Sequence, residues 1–272
     1  MANTIGYGQA AVNNTIDYGQ GATDNTIDWG KSQTLSPSGE TNITGSGGAA
    51  PVYSTNSFQF DGSDAALGFQ SDVEIIISKP FSVSVWFKFT GDYVNGEMFL
   101  LGQRTSNANY FQFVSDTQIR IKVSGTFYDF TSSTLTIPQD TWGNLIVIKN
   151  ASNVLQPYLN GQAFGTAASI GAKGIKLNSF GRCINASFGF KGFLDEFAMW
   201  DTDETANVAT IYGSGIPSDI TSLSPIINLR MGENATFDSG TQRWTATSIG
   251  SDTRSATSLN MDGSEVTTDV PT

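Results

Sequence analysis

Hydrophobic and polar residues alternate along much of the middle of the chain, and the alternation is strictest over residues 81–89. A β-strand places successive side chains on opposite faces, so this pattern puts a row of large apolar residues on one face. The row consists of Phe81, Val83, Val85, Phe87 and Phe89. Similar segments recur over residues 54–216, with Asp-Gly, Asn-Gly and related turn signals between them. Strands at this spacing predict an all-β, antiparallel sandwich and do not fit alternating strands and helices.

The first 35 residues carry a different pattern, a motif that recurs every 11 residues. Each copy has Asn-Thr-Ile, one further residue, an aromatic residue and a glycine. The isoleucine and the aromatic residue are two apart, so they share one face of a short strand. No copy is long enough to bury its own apolar side chains. These side chains are Ile5, Tyr7, Ile16, Tyr18, Ile27 and Trp29.

We therefore predict that residues 1–35 form an anchoring and oligomerisation arm, with a trimer favoured. The alternative is an extended leader that lies on the sandwich. Residues 36–53 are rich in Ser, Thr and Gly and predict a linker. The sandwich is predicted over residues 54–217, with one short helix at 204–212. Residues 218–272 have few apolar positions, so we expect this C-terminal extension to pack on the sandwich. Its apolar stretch at 225–233 is either a displaced strand or the start of a second domain.

Composition narrows the classes of function. The chain has a net charge of −11 and no run of Lys or Arg, which argues against nucleic acid as a partner. No stretch of 18 apolar residues is present, so we expect no membrane insertion, and the N-terminus does not resemble a signal peptide. We expect Cys183, the single cysteine, to be a buried apolar residue, because its neighbours are typical of a strand. A reactive thiol would need an activator such as histidine, and the chain has no histidine.

Four segments carry a family resemblance when they are taken together. They are the strand and turn at residues 58–64, the strand at 81–88, the hairpin at 142–161, and the strand and helix at 193–215. Their order resembles the concanavalin A-like jelly roll in its laminin-G or pentraxin-like branch. The chain as a whole also resembles virion proteins of tailed phages. That resemblance implies a virion-surface location and contacts with other virion proteins through the arm.

The same family includes laminarinase-type glycan hydrolases, whose strands resemble Glu-x-Asp-x-Glu, with all three acids on one face. The nearest stretch in this chain is Asp195-Glu196. We expect these two side chains to point to opposite faces, because adjacent residues of a strand alternate. The absence of histidine also excludes a Ser-His-Asp triad and a histidine-ligated metal. We therefore expect that the protein is not an enzyme.

The resemblance also implies a calcium site, formed by an acid near the opening strand and another on the closing strand. The candidate ligands are Asp61, Asp64 and Asp195, because calcium prefers carboxylate and carbonyl oxygens. The alternative is that Asp61 and Asp64 only make hydrogen bonds within a turn.

Glycan binding would use aromatic and amide side chains in loops. The candidates are Tyr93, Asn95, Asn107, Asn109 and Tyr110, with ordinary solvated loops as the alternative. We expect a structural protein of the phage virion surface, a tail fibre or capsid component, whose sandwich binds a glycan or receptor of a bacterial host. A capsid decoration protein without a ligand is the second hypothesis, and a laminarinase-type hydrolase is the third.

Overall fold

The computed structural model describes residues 53–62, 66–75, 78–93, 98–184, 189–259 and 265–271. The arm at residues 1–35, with its six repeated apolar side chains, lies outside these ranges, so its anchoring role stays a prediction. Nearly all of the linker at 36–53 lies outside them as well. Within the described residues, no helix is long and apolar enough to cross a membrane.

Two sheets of antiparallel strands form the described part of the molecule, which confirms the predicted all-β sandwich. Strands are numbered along the chain. Sheet one contains β1 (Ser57–Asp61), β3 (Phe81–Phe89), β8 (Trp142–Lys149), β9 (Val154–Leu159), β10 (Gln162–Ala163), β11 (Ala168–Ser169), β13 (Lys191–Trp200), β14 (Ile227–Leu229) and β18 (Val266–Thr267). Sheet two contains β2 (Leu67–Ile75), β4 (Met98–Gly102), β5 (Tyr110–Ser115), β6 (Gln118–Val123), β7 (Thr126–Thr131), β12 (Ile175–Phe180), β15 (Ala235–Asp238), β16 (Arg243–Thr247) and β17 (Ser255–Ser258).

The core lies between the two sheets. The apolar row predicted on β3, from Phe81 to Phe89, is buried there. Aromatic rings connect the sheets directly, because the ring centres of Phe87 and Phe113 are 4.8 Å apart. A second such pair joins β12 to β13, with Phe180 and Phe197 at 4.7 Å. Burial of a side chain of this size contributes about 1.5–3 kcal/mol, so these pairs hold the sheets together.

The outer face of sheet one is also covered. After β13 the chain forms α1 (Val208–Tyr212), whose Val208 and Ile211 pack in one cluster with Ile146 and Trp200. The helix predicted at 204–212 is in fact two pieces, because a 3-10 turn (Thr205–Asn207) precedes α1. Further 3-10 turns are Gly213–Gly215, Thr221–Leu223 and Met231–Asn234.

The C-terminal extension supplies strands to both sheets. β14 pairs with β13, and β18 pairs with β1. The strands from β15 to β17 continue sheet two beyond β2. The apolar stretch at 225–233 contains β14, so it is a strand of this sandwich, and Tyr53–Thr272 forms one compact unit.

Candidate functional site

The outer face of sheet two carries two rows of polar and aromatic side chains across strands β4 to β7. Along β5 and β6, residues such as Phe111 and Ile121 are buried in the core, so the residues between them face outward. Residues that lie directly opposite each other on neighbouring strands form the rows. The first row is Gly102, Tyr110, Lys122 and Phe127, and the second row is Phe99, Gln112, Arg120 and Asp129. We call these two rows the platform.

A tight hairpin turn sets the register of β6 and β7. Ser124 and Gly125 have φ angles of 47° and 82°. Two successive residues with positive φ are typical of the two-residue turns whose twist matches that of paired strands. The turn places Lys122 opposite Phe127, so a cation and an aromatic ring share one face.

Lys122 lies between the two aromatic rings of the first row. Its Nζ atom is 5.6 Å from the centre of the Tyr110 ring and 4.5 Å from the centre of the Phe127 ring. The two rings are themselves 6.2 Å apart. Phe127 is 52% exposed, whereas Lys122 is only 8% exposed. The row therefore offers an exposed aromatic surface with an ammonium group beside it.

The second row is polar and internally paired. Arg120 donates from Nε to Oδ1 of Asp129 at 2.6 Å and from a terminal nitrogen to Oδ2 at 2.9 Å. These hydrogen bonds from Arg120 lower the pKa of Asp129 below its usual value. The guanidinium also lies 5.1 Å from the centre of the Phe127 ring. A bidentate pair of this kind holds both side chains in a fixed orientation next to Phe127.

The loop after β12 forms a wall at one end of the platform. A Cβ atom at Gly102 would lie 3.0 Å from both the carbonyl oxygen of Arg182 and Cβ of Cys183, so the loop crosses β4 closely at this glycine. Phe99, Tyr110 and Cys183 pack together there. Cys183 is buried, as the sequence predicts, and this burial raises the pKa of its thiol.

Tyr110 is the one predicted glycan-binding residue that lies on the platform. Asn109 is buried, donates to Oε1 of Gln103 at 2.8 Å and accepts from the backbone nitrogen of Ser124 at 2.9 Å. Its side chain therefore supports the hairpin turn from below. Asn107 is exposed in the loop between β4 and β5.

The two remaining glycan candidates do not join this surface in the described structure. Tyr93 packs on the core, with its ring centre 4.8 Å from that of Phe89 and its hydroxyl 3.4 Å from the carbonyl oxygen of Ile137. Asn95 lies outside the described residues. The sequence analysis did not identify Lys122 and Phe127 as site residues. The alternation of apolar and polar residues on both sides of the Ser-Gly turn at 124–125 would have placed them on one face.

A second group of chemically notable residues lies where β13 is irregular. The pairing of β13 with β3 shifts register between Asp195 and Ala198, and Glu196 has a φ of 44°. A bulge of this kind redirects a side chain that a regular strand would send to the other face. Carboxylate oxygens of Asp195, Glu196 and Glu233 consequently lie within 4.8 Å of one another. The expectation that Asp195 and Glu196 point apart is wrong, because it assumed a regular strand.

These three acids, which we call the acid cluster, are held by groups of the chain itself. The Nε atom of Arg230 lies 3.2 Å from Glu196, and its guanidinium stacks 3.8 Å from the centre of the Tyr53 ring. Ser54 donates to Asp195. Burial, followed by repulsion from Glu196, raises the pKa of Asp195 well above its usual value. Burial also raises the pKa of Glu196 to about 8, against the opposing effect of Arg230.

The calcium ligands predicted from the sequence are not brought together. Asp61 pairs with Lys191, four residues along β13 from Asp195, and Asp64 lies outside the described residues. The acid cluster also fits calcium poorly as it stands, because calcium needs six to eight oxygens and Arg230 already supplies the positive charge. Calcium binding through Asp195 stays a prediction.

A family comparison bears on the whole chain. The model of a family described as the concanavalin A-like lectin/glucanases superfamily (Laminin_G_3) matches residues 61–207, more than half of the 272 residues. The chain belongs to this family. All of the platform lies within the matched part of this laminin-G-type domain, whereas Arg230 and Glu233 lie beyond it.

Solved structures share the fold at low sequence identity. A Bacteroides ovatus protein, provisionally described as carbohydrate binding, is 13% identical with a TM-score of 0.57 over 80% of this chain and 61% of that chain. A pentraxin from Limulus polyphemus is 14% identical, with a TM-score of 0.46 over 58% and 82% of the two chains. The ligand-binding domain of botulinum neurotoxin serotype D, in complex with N-acetylneuraminic acid, is 16% identical, with a TM-score of 0.44 over 71% and 51%. None of the curated protein sequences matches this chain.

Proposed function

We propose that this laminin-G-type protein is a lectin-like, non-catalytic domain that binds carbohydrate on the platform. The observation that carries the proposal is the exposed ring of Phe127, which lies next to Tyr110 and beside the fixed Arg120–Asp129 pair. Binding sites for small ligands combine apolar, often aromatic surface with a few well-placed polar groups. The apolar face of a sugar ring can stack on Phe127, while its hydroxyl groups bond to the paired side chains.

The position of the platform supports this proposal. The outer face of sheet one is covered by α1 and the segment around it, whereas Phe127 on sheet two stays open to solvent. The family to which the chain belongs includes lectins. The Bacteroides ovatus protein is described provisionally as carbohydrate binding, although at 13% identity the likeness itself concerns the fold alone.

The proposal includes the absence of catalysis, because the two neighbouring carboxylates that could form a catalytic pair are buried. Glycoside hydrolysis uses a pair of carboxyl groups that flank the scissile bond. The platform contains one carboxylate, Asp129, which Arg120 already holds. The closest pair of acids, Asp195 and Glu196, is 0% and 4% exposed. A polysaccharide chain cannot reach carboxylates that are buried to this degree.

The test is a glycan array followed by calorimetry with two aromatic variants. Phe127→Ala should abolish measurable binding, because a few aromatic side chains commonly carry most of the free energy of a binding surface. Phe237→Ala is the matched control, since Phe237 is also exposed, at 40%, but lies on β15 at the opposite edge of sheet two. Unchanged binding by Phe127→Ala, or equal loss in both variants, would remove the platform from the proposal.

We further propose that the protein is displayed on the surface of a phage virion, where residues 1–35 anchor it and the sandwich faces a host glycan. This part rests on the repeats of the arm and on the whole-chain resemblance to virion proteins. Electron microscopy of particles labelled on the sandwich tests the location. If labelled particles are found but the array is blank, a structural decoration role replaces the lectin role.

A further inference from the structure

Lys122 takes part in no ion pair of the described residues, unlike several other cationic side chains of the sandwich. Lys88 pairs with Asp269 at 2.6 Å, Lys176 with Glu74 at 2.8 Å, and similar pairs hold Arg120, Arg230 and Arg254. No carboxylate of the described residues lies within ion-pair distance of the Lys122 ammonium, although the side chain is more than nine-tenths buried.

A buried ammonium group ordinarily finds an anion or several hydrogen-bond acceptors, because removing it from water is costly. Lys149 illustrates the ordinary solution, since its buried side chain donates to the carbonyl oxygen of Lys79 at 2.9 Å. Around Lys122 the described contacts are instead the ring faces of Tyr110 and Phe127. Ring faces attract a cation, but they do not neutralise its charge as a carboxylate does.

Arg120, the other cation on this face, does have an acidic partner. Arg120 is already satisfied by the two oxygens of Asp129. The charge that is left for a ligand is therefore that of Lys122. Its compact ammonium suits a single carboxylate or sulfate group.

We infer that the glycan bound by the platform is acidic, and that its carboxylate or sulfate group pairs with Lys122 while its sugar ring stacks on Phe127. The inference rests on the proposed function and adds the class of ligand to it. The distance of 4.5 Å between Nζ and the centre of the Phe127 ring supports it. A sugar stacked on that ring brings an exocyclic acidic group within reach of the ammonium.

Matched pairs of ligands and matched variants test the inference. The ligands are sialyllactose against lactose, and a sulfated galactan oligosaccharide against its desulfated form. The variants are Lys122→Met, which keeps an apolar stem between the rings, and Lys122→Arg, which keeps the charge. Lys79→Met is the control, because Lys79 is an exposed lysine whose partner is Asp201 on the sheet-one side.

The wild-type protein should bind at least one acidic ligand about tenfold more tightly than its neutral counterpart, the size expected for one hydrogen bond to a charged group. Lys122→Met should remove this preference, so that its affinities for the acidic and the neutral member of each pair become equal, whereas Lys122→Arg should restore most of it. Lys79→Met should behave as the wild type.

Equal affinity of the wild type for acidic and neutral members of both pairs overturns the inference and leaves the proposed function intact, provided that Phe127→Ala still abolishes binding. A preference that survives in Lys122→Met also overturns it. Failure of every glycan to bind the wild type overturns the proposed function, and the inference falls with it. The wild-type comparison needs no variant, so a Lys122→Met protein that fails to fold does not prevent a decision.

Discussion

The acid cluster predicts that the folded protein loses stability as the pH rises above 5. Asp195→Asn is the sharpest perturbation, because asparagine has the same shape and can keep both contacts of the carboxylate. Its carbonyl oxygen can accept from the backbone nitrogen of Glu196, as Oδ1 of Asp195 does at 2.8 Å. Its amide can donate to the hydroxyl oxygen of Ser54, which now donates to Asp195. The substitution therefore removes the charge while a side chain of the same shape keeps a hydrogen bond to each of the two partners.

The sign follows from the direction of the pKa shifts. Glu196 has a folded pKa of about 8 against an ordinary value of 4.5, and the pKa of Asp195 is raised as well. Between pH 4.5 and about 8, the folded protein therefore binds more protons than the unfolded chain. The free energy of unfolding falls as the pH rises through this range. The slope is about 1.4 kcal/mol per pH unit for each extra proton that the folded state holds.

Urea denaturation at pH 5, 6.5 and 8, in the presence of a chelator, measures this slope. The wild type should lose stability across the series, and Asp195→Asn should lose clearly less. Asp238→Asn is the control, because Asp238 is exposed at the end of β15 and its hydrogen bonds with Thr241 lower its pKa, so its contribution to stability does not change above pH 5. A wild-type stability that stays flat or rises from pH 5 to pH 8 would refute the reasoning. Repeating the series in millimolar calcium tests the metal prediction, since calcium bound at Asp195 would stabilise the wild type and not Asp195→Asn.

Two further predictions concern the wall of the platform and the arm. Gly102→Ala should destabilise the fold by about 1–3 kcal/mol, because its methyl group would meet Arg182 and Cys183, and thermal unfolding measures the loss. Unchanged stability would show that the loop has room to move. Deletion of residues 1–35 should leave a folded, monomeric sandwich, and Ile5→Ser with Ile16→Ser and Ile27→Ser should do the same by light scattering and circular dichroism. An oligomer that persists in both proteins would reduce the arm to a leader.

The sequence was sufficient for the fold because the alternation on β3 and the turn signals are local properties. The same rule, applied across Ser124 and Gly125, would have placed Lys122 beside Phe127, since a two-residue turn fixes the register of both strands. The rule of alternating side chains failed at Asp195 and Glu196 for a physical reason. A bulge breaks the alternation, and nothing in the residues 193–200 themselves shows that Glu196 adopts a positive φ.

Local sequence patterns also could not identify the residues that contact Asp195 and Glu196. Arg230 and Glu233 come from the C-terminal extension, more than 30 residues after Glu196, and Ser54 comes from the entry to β1. The pairing of β14 with β13 brings the first two to the bulge. Sequence separation of this size carries no signal about contact unless the topology of the sheet is already known.

Whole-chain charge and local charge point to different ligands, and distance decides between them. The net charge of −11 repels an acidic glycan at long range. At physiological ionic strength, however, charges more than roughly 8 Å from the ligand are largely screened. The binding energy of the acidic group of a sugar stacked on Phe127 then depends mainly on the charges nearest to it. These are Lys122 and the pair of Arg120 and Asp129, whose charges neutralise each other. Because added salt weakens the distant repulsion and the local attraction together, salt dependence cannot separate the two. Replacing the single ammonium of Lys122 while the rest of the surface is kept constant does separate them.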